Sequence, residues 1–224
     1  GPELLIASRV PLNEWAVALL DEPDSLQTIN HALVLLESGS ISVPFWLIHL
    51  ESPREGLSQV ASRRTLINPA AAPRVEAGLR ERLTASRLSE QFITATRRGI
   101  AAGATGRDSA PLVVGDFNMP SDSGIFRDTW GHMTNGFEVA GLGFGHTIWA
   151  EIGPFAYGAR IDHQLAGPGW RCVSAHVGPF IGSDHRPMIA EWVLTQVVPP
   201  GIVPLDPPSR PEAGPARVPE SFDE

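Results

Sequence analysis

The sequence predicts a mixed α/β domain, because short apolar runs typical of strands are interspersed with one long and one short helical segment. The runs are bounded by Gly, Pro, Asp or Ser, which commonly end strands. They cover residues 3–9, 17–20, 32–37, 43–50, 111–116, 160–165, 171–177 and 187–194. At 224 residues the chain can form one sizeable core, and its length favours a single domain.

Residues 75–101 are predicted to form a helix that covers one face of a sheet. Their apolar side chains approximate one stripe, with most arginines outside it; the stripe consists of Leu79, Leu83, Leu88, Phe92, Ile93 and Ile100. At the standard rise this helix would be about 40 Å long. Residues 51–74, which lack periodicity, are predicted to form a long loop. A second helix is predicted at 124–130, with Ser123 or Asp122 as its cap.

Composition restricts the classes of function. The net charge is -8 and all 17 basic residues are Arg. The chain therefore has no global positive field that would hold nucleic acid. Cys172 is the single cysteine, which excludes an intrachain disulfide. No apolar run is long enough for a membrane span. Pro, Gly, Glu and Asp dominate from residue 199 onward, so 199–224 is predicted to be a disordered, Pro-rich acidic tail.

The strand that begins at Pro111 ends in Gly-Asp-Phe-Asn at 115–118, and this stretch carries the first chemical signal. On an extended backbone, Asp116 and Asn118 point to the same side. A carboxylate and a carboxamide together suit a site that holds a hard cation and orients a water. A strand followed by Gly-Asp is also a common turn, so this stretch alone favours a solvated strand end.

Two later stretches place an acid beside a histidine at the edge of an apolar strand. Arg-Ile-Asp-His occupies 160–163, and Gly-Ser-Asp-His-Arg-Pro occupies 182–187. A histidine paired with a carboxylate accepts a proton near neutral pH, because its unperturbed pKa is about 6.5. These residue types suit hydrolysis of a phosphate ester, which requires charge neutralisation and a positioned water.

In this order, the three stretches resemble the motifs of the endonuclease/exonuclease/phosphatase, or DNase I-like, superfamily of metal-dependent phosphoesterases. A fourth match is Phe-Trp-Leu-Ile-His-Leu at 45–50, which is similar to the family strand that ends in His-Leu. The resemblance covers roughly residues 4–195 and is greatest to bacterial members of unassigned substrate. It implies a four-layer α/β sandwich of two packed, mixed, mostly antiparallel sheets flanked by helices.

The resemblance also implies a catalytic role for each matching position. Asp116 would orient or activate the attacking water, and Asn118 would hold a phosphate oxygen. Asp162 would orient His185, the general base, so we expect a hydrogen bond between these two side chains. His49 would stabilise charge that develops on the phosphate. Asp116 and Asn118 are expected to face the same cavity.

The remaining positions of these motifs are expected to bind metal or substrate. Asp184 is implied to ligate Mg²⁺ or Mn²⁺, and His163 is placed at the edge of the site. Arg160 is expected to bind the substrate, and Arg186 is a second candidate. Structural ion pairing is an equally consistent interpretation of both arginines.

The function implied is a divalent-metal-dependent phosphoesterase that hydrolyses a phosphodiester or phosphomonoester by water attack assisted by an Asp-His pair. Two alternatives stay open. One is a DNA or RNA nuclease, which the net charge does not favour. The other is a non-catalytic fragment that retains the fold. The expected partner is a phosphate-ester substrate, and the protein is expected to be a monomer.

Members of the superfamily begin with a strand that carries an Asn and a later strand that ends in a metal-ligating Glu. Neither element precedes residue 4 here. The resemblance therefore predicts a domain over 1–198 that lacks its first strands, with weakened metal affinity. A membrane anchor upstream of residue 1 is compatible with this expectation.

Overall fold

A computed structural model of the chain describes residues 4–10, 12–21, 28–38, 41–50, 52, 72–103, 110–152 and 155–195. Most of the loop predicted at 51–74 lies outside the described residues. The tail predicted at 199–224 and the domain end predicted at 198 also lie outside them, so both stay predictions. In the described part of the chain, no helix combines the length and hydropathy needed to cross a bilayer.

The described part of the chain forms ten strands and three helices. The strands are β1 (Leu12–Asp21), β2 (Thr28–Ser38), β3 (Ile41–His49), β4 (Leu112–Asp116), β5 (Thr134–Asn135), β6 (Ile148–Ile152), β7 (Phe155–Ala159), β8 (Asp162–Ala166), β9 (Trp170–Val177) and β10 (Met188–Leu194). The helices are α1 (Ala72–Gly103), α2 (Gly124–Trp130) and α3 (Gly136–Ala140).

Six strands form the main sheet in the order β1-β2-β3-β4-β8-β5. Among the strands that the structure describes in this sheet, only β3 and β4 pair in parallel. A parallel pair needs a crossover connection, usually a helix, and α1 lies in the connection between these two strands. Strands β9 and β10 form a separate antiparallel pair, as do β6 and β7. The carboxyl ends of β3 and β4 therefore meet the start of the antiparallel strand β8 at one edge of the main sheet.

Apolar side chains cover both faces of the main sheet, as strand alternation requires. Val113 of β4 belongs to the larger core, in which Trp46, Ile93 and Trp130 are also buried. Its neighbour Leu112 belongs to a second cluster on the β9–β10 side. Full burial of such a side chain contributes roughly 2 kcal/mol to the free energy of unfolding. The two clusters fix the sheet between the helices and the second sheet.

The predicted α/β architecture of packed, mixed, mostly antiparallel sheets with helices is confirmed. The helix predicted at 75–101 is α1, which is longer by a few residues at each end. The helix at 124–130 is α2, and Ser123 is its cap, because the Ser123 hydroxyl accepts a hydrogen bond from the Phe126 N–H at 3.1 Å.

Two predictions about secondary structure were wrong, and one short helix was not predicted. Residues 4–8 form no strand, and Leu5 is exposed, because the segment does not pair with the outermost described strand, β1. The five-residue helix α3 was missed because it is too short to show helical periodicity; Asn135 caps it. Strand β8 begins at Asp162, so Arg160 and Ile161 lie in the connection before it.

Candidate active site

Three neighbouring strands deliver side chains to one edge of the main sheet. In the register of the sheet, His49 at the end of β3 lies opposite Asp116 at the end of β4. Asp116 in turn lies opposite Asp162 at the start of β8. Residues that are far apart in sequence therefore form one row across the sheet.

The glycine before Asp116 allows β3 and β4 to approach closely. Gly115 has a positive φ of 145°, and a Cβ atom at this position would collide with the carbonyl oxygen of Ile48 on β3. Only glycine fits such a conformation and contact without strain. Gly115 thus brings the carboxylate that follows it next to the end of β3.

His185 reaches the row from the segment before β10. Its Nδ1 atom lies 2.8 Å from Oδ2 of Asp162, which is a short, charge-assisted hydrogen bond. Because a carboxylate only accepts hydrogen bonds, Nδ1 of His185 is the donor in this contact. Nε2 lies 4.0 Å from Oδ2 of Asp116, too far for a direct hydrogen bond. The expected Asp162–His185 contact is therefore present in the structure.

Asp116 lies at the centre of the row and its electrostatic environment is unfavourable. Burial, together with the neighbouring Asp162 carboxylate, raises the pKa of Asp116 to about 6. A hydrogen bond from the Asn118 backbone, His185 and His49 lower it by smaller amounts. Nε2 of His49 is 3.8 Å from Oδ2 of Asp116. A cation beside this carboxylate would stabilise its ionised form and lower its pKa.

Asn118 supports Asp116 and does not line the cavity, contrary to the expectation that both residues face it. Its backbone N–H donates to Oδ1 of Asp116 at 2.7 Å. Its side-chain amide donates to the carbonyl oxygen of Leu50 at 2.6 Å and to Oδ2 of Asp116 at 3.2 Å. Asn118 has a φ of 51°, a left-handed conformation that asparagine tolerates. Its amide donors are thus engaged within the protein, because the turn after β4 uses them to hold the strand ends together.

Arg160 also takes a structural position. One of its guanidinium nitrogens donates to the Ser121 hydroxyl at 2.9 Å and lies 3.5 Å from a carboxylate oxygen of Glu138. The guanidinium lies 4.5 Å from the centre of the Phe137 ring. Arg186 lines the cavity and Arg160 does not, and the predicted contact of Arg160 with substrate stays a prediction.

His163 points to the opposite face of β8 from Asp162, because consecutive strand residues alternate. Its ring is buried between Phe117 and Phe126. The Asn135 amide donates to Nδ1 at 3.2 Å, and Nε2 donates to the Met119 carbonyl oxygen at 3.0 Å. Burial lowers the pKa of His163 to about 4, so the ring is neutral at pH 7. His163 is among the residues that line the cavity, in keeping with the site-edge position that the motif gave it, but its imidazole is held in the core on the side away from Asp162.

Asp184 is exposed, and its carboxylate accepts a hydrogen bond from the Ser183 hydroxyl at 3.4 Å. It does not belong to the one group of potential ligands found in the described part of the chain. That group is Asp116, Asp162 and His185, whose ligand atoms lie within 4.8 Å of one another. Ligation by Asp184 stays a prediction.

A cavity of about 300 Å³ lies beside this group. Its polar lining includes Gln164, Ser183 and Arg186, and its apolar lining includes Leu47, Ile181 and Met188. Two carboxylates close together form an oxygen-donor set that fits Mg²⁺ or Mn²⁺. The raised pKa of Asp116 fits the same conclusion, since a divalent cation would stabilise its ionised form.

Two residues support the site in roles that the sequence did not predict. The hydroxyl of Thr147 accepts hydrogen bonds from the backbone N–H groups of Ile161 and Asp162. The side chain of Gln164 donates to the carbonyl oxygen of Met188 at 2.9 Å. Neither contact has a signal in the sequence, because each joins segments whose proximity arises only from the fold.

Several solved structures share this fold at low sequence identity. A mannosyl-6-phosphatase from Bacteroides thetaiotaomicron has 14% identity and a TM-score of 0.55, over 82% of this chain and 67% of that one. A conserved protein from Enterococcus faecalis described as functionally unknown has 17% identity and a TM-score of 0.54, over 82% and 66%. TDP2 from D. rerio, in complex with a single-strand DNA product, has 13% identity and a TM-score of 0.55, over 83% and 69%.

The chain thus spans about two thirds of the length of these structures. No curated protein matches the sequence. The model of the Endonuclease/Exonuclease/phosphatase family matches residues 4–185 and includes every residue of the row described above. The chain therefore belongs to the Endonuclease/Exonuclease/phosphatase family and has the DNase I-like fold.

Proposed function

We propose that the protein is a divalent-metal-dependent phosphoesterase that uses the Asp162–His185 pair to activate a water. The observation that carries this proposal is the 2.8 Å contact between Nδ1 of His185 and Asp162, in an open cavity and next to the Asp116 carboxylate. A carboxylate that holds the Nδ1 proton leaves Nε2 free to accept a proton from a water. The 4.0 Å gap between Nε2 and Asp116 leaves space for a bridging oxygen atom.

Each residue of the row has a distinct role in this proposal. Asp162 fixes the tautomer and orientation of His185 and stabilises the imidazolium that forms when Nε2 takes the proton. Asp116 orients the water, and its carboxylate, with that of Asp162, offers the oxygen ligands for the metal. His49, whose side chain is 41% exposed, donates a hydrogen bond to a phosphate oxygen as charge develops.

Mg²⁺ or Mn²⁺, when bound, would neutralise the charge on the phosphate oxygens and lower the barrier to attack. We assign the metal to the carboxylates and leave Nε2 of His185 uncoordinated. Carboxylate oxygens suit these hard cations better than imidazole does. A ring nitrogen that ligated the metal would also be unable to accept the proton.

We propose that the substrate is a small phosphate ester and not a long polynucleotide. Among the residues that the structure describes, Arg186 is the one arginine that lines the cavity, and the net charge of the chain is -8. A polynucleotide would require several cationic contacts with its phosphates. The similar structures include one named a mannosyl-6-phosphatase and one that holds a DNA product, so both substrate classes enter the test.

The test is hydrolysis of p-nitrophenyl phosphate, bis-p-nitrophenyl phosphate, mannose 6-phosphate and a single-stranded oligonucleotide, with Mg²⁺ or Mn²⁺ and then with EDTA. His185→Ala should abolish turnover. His176→Ala, which removes an exposed histidine on β9, should preserve it. Turnover that EDTA stops, with mannose 6-phosphate or a nitrophenyl ester preferred, supports the proposal. A folded wild type that releases no product would favour a non-catalytic protein, and oligonucleotide cleavage alone would favour a nuclease.

A further inference from the structure

We propose that Thr147 is a positioning residue that holds together the two chain segments carrying Asp162 and His185. This inference rests on the proposed function of that pair. Thr147 belongs to none of the acid- and histidine-bearing motifs, and it lies just before β6. Its side chain is fully buried.

The hydroxyl of Thr147 fixes the start of β8. It accepts hydrogen bonds from the N–H groups of Ile161 at 3.2 Å and Asp162 at 3.3 Å. The carbonyl oxygen of Ile161 accepts a hydrogen bond from the Phe117 N–H at 2.9 Å. The residue before Asp162 is therefore also hydrogen-bonded to the residue after Asp116. The Thr147 hydroxyl therefore determines where the backbone of Asp162 lies relative to Asp116.

The backbone of Thr147 fixes the segment that carries His185. Its carbonyl oxygen accepts a hydrogen bond from the Arg186 N–H at 2.7 Å, and its own N–H donates to Ala159 at 2.8 Å. The next residue, Ile148, pairs with His185 in an isolated antiparallel bridge. One residue thus holds Asp162 through its side chain and the neighbourhood of His185 through its main chain.

This arrangement explains how two residues from separate segments keep a contact of 2.8 Å. Without the hydroxyl, two backbone N–H groups would lose their acceptor, and the start of β8 would shift towards another one. A displacement of about 1 Å in a catalytic group lowers the rate on the order of 100-fold. The fold itself has independent support, because Gln164 joins β8 to Met188 and Trp192 of β10.

The decisive variants are Thr147→Val, which replaces only the hydroxyl with a methyl group, and Thr147→Ser, which keeps the hydroxyl. Thr129→Val is the matched control: Thr129 is buried on α2, and its hydroxyl has no hydrogen-bond partner among the described residues. We expect Thr147→Val to lower kcat about 10- to 100-fold with KM changed less than about threefold. Thr147→Ser and Thr129→Val should stay within about threefold of the wild type.

A second readout does not depend on turnover. In the wild type, NMR should detect a slowly exchanging proton on Nδ1 of His185, since this proton is bonded to Asp162. Thr147→Val should accelerate its exchange with solvent at least about tenfold, whereas Thr129→Val should not. If the wild type hydrolyses nothing but this exchange pattern is seen, the proposed function fails and the positioning role stands.

Two results would overturn the role of Thr147. One is a folded Thr147→Val protein with unchanged kcat and unchanged proton exchange at His185. The other result applies if Thr147→Val does not fold. In that case, loss of the slowly exchanging His185 Nδ1 proton in Thr147→Ser would show that the methyl group of Thr147, and not its hydroxyl, is needed.

Discussion

The two Asp-His dipeptides of this chain contribute opposite members to the site. In the pair at 162–163, the aspartate faces the cavity and the histidine is buried against Phe117 and Phe126. In the pair at 184–185, the histidine faces the cavity and the aspartate is exposed. The Asp-His pair proposed to be catalytic therefore consists of one residue from each dipeptide.

The difference follows from strand alternation and from burial. Asp162 and His163 are consecutive on β8, so their side chains leave opposite faces of the main sheet. The face of the main sheet on which His163 lies is buried and disfavours charge. Burial therefore lowers the pKa of His163 to about 4. His185 is only partly buried and contacts a carboxylate. The same dipeptide thus gives one histidine buried in the core and one that we propose as the general base.

The largest expected effect is loss of catalysis when Asp162 or His185, the residue of each dipeptide that faces the cavity, is replaced. We predict that Asp162→Asn and His185→Ala each lower kcat/KM on the order of 10³-fold or more, because each removes the oriented base. The measurement is steady-state hydrolysis of the preferred nitrophenyl ester. His176→Ala is the control. A loss of less than about tenfold in either variant would contradict the roles assigned here.

Replacement of His163, the buried residue of the first dipeptide, should instead lower the free energy of unfolding. His163→Ala leaves a cavity among aromatic rings and removes a partner from Asn135 and from the Met119 carbonyl. We predict a loss of about 3 kcal/mol in the free energy of unfolding. His185→Ala should lose less than about 1 kcal/mol. Urea unfolding of both variants measures this difference, and equal losses would show that the two histidines are not distinct in kind.

The contributions of Asp116 and His163 to the free energy of unfolding should change in opposite directions with pH. The pKa of His163 falls from 6.5 to about 4 on folding, so its contribution to stability is complete above pH 6.5 and is lost as pH falls towards 4. The pKa of Asp116 rises from 3.8 to about 6, so its contribution is complete below 3.8 and is lost as pH rises through 6. Between pH 4 and 6 the two effects oppose each other in the wild type.

We predict that Asp116→Asn, measured in EDTA, raises the free energy of unfolding at pH 7.5 by about 2 kcal/mol, because it removes a charge that burial disfavours. Its stability should then fall as the pH is lowered from 6 to 4, where that of the wild type changes less. Urea unfolding at several pH values tests both statements. A variant less stable than the wild type at pH 7.5 would show that the carboxylate is needed for its hydrogen bonds from Asn118.

The smallest effect on catalysis is expected for Asp184, the exposed residue of the second dipeptide. Asp184 is outside the group formed by Asp116, Asp162 and His185. We predict that Asp184→Asn lowers kcat/KM by less than about tenfold, well below the loss in Asp162→Asn. Titration with Mn²⁺ provides a second measurement. A large rise in the Kd for Mn²⁺ would instead establish the ligand role that the family motif implies for Asp184.

The sequence was informative where the chemistry lies at strand ends. The strands that end at His49 and Asp116, the long helix α1 and the capped helix α2 follow from local patterns of apolar and capping residues. The Asp162–His185 contact followed from the family motif and is present in the structure. These features depend on short stretches whose residue types have few structural alternatives.

The roles of three other residues depend on contacts made in three dimensions. The motif gave Asn118 a phosphate contact, yet its amide is bonded to Leu50, 68 positions away. Arg160 pairs with Glu138 on α3, a helix that the sequence did not reveal. Thr147 lies in a stretch, 145–149, that resembles a family pattern, but the pattern assigns it no role because it carries no acid or base. Such contacts arise from how strands pair, which local patterns do not encode.

The most direct test of the central claim is a double-mutant cycle on Asp162 and His185. If one residue from each dipeptide forms a single catalytic unit, the double variant Asp162→Asn/His185→Ala should have the same kcat/KM as His185→Ala alone, within about threefold, when each variant is assayed at a Mn²⁺ concentration that saturates it. The wild type should be faster on the order of 10³-fold. Losses that multiply, or a wild type as slow as the variants, would show that the two side chains do not act together in hydrolysis.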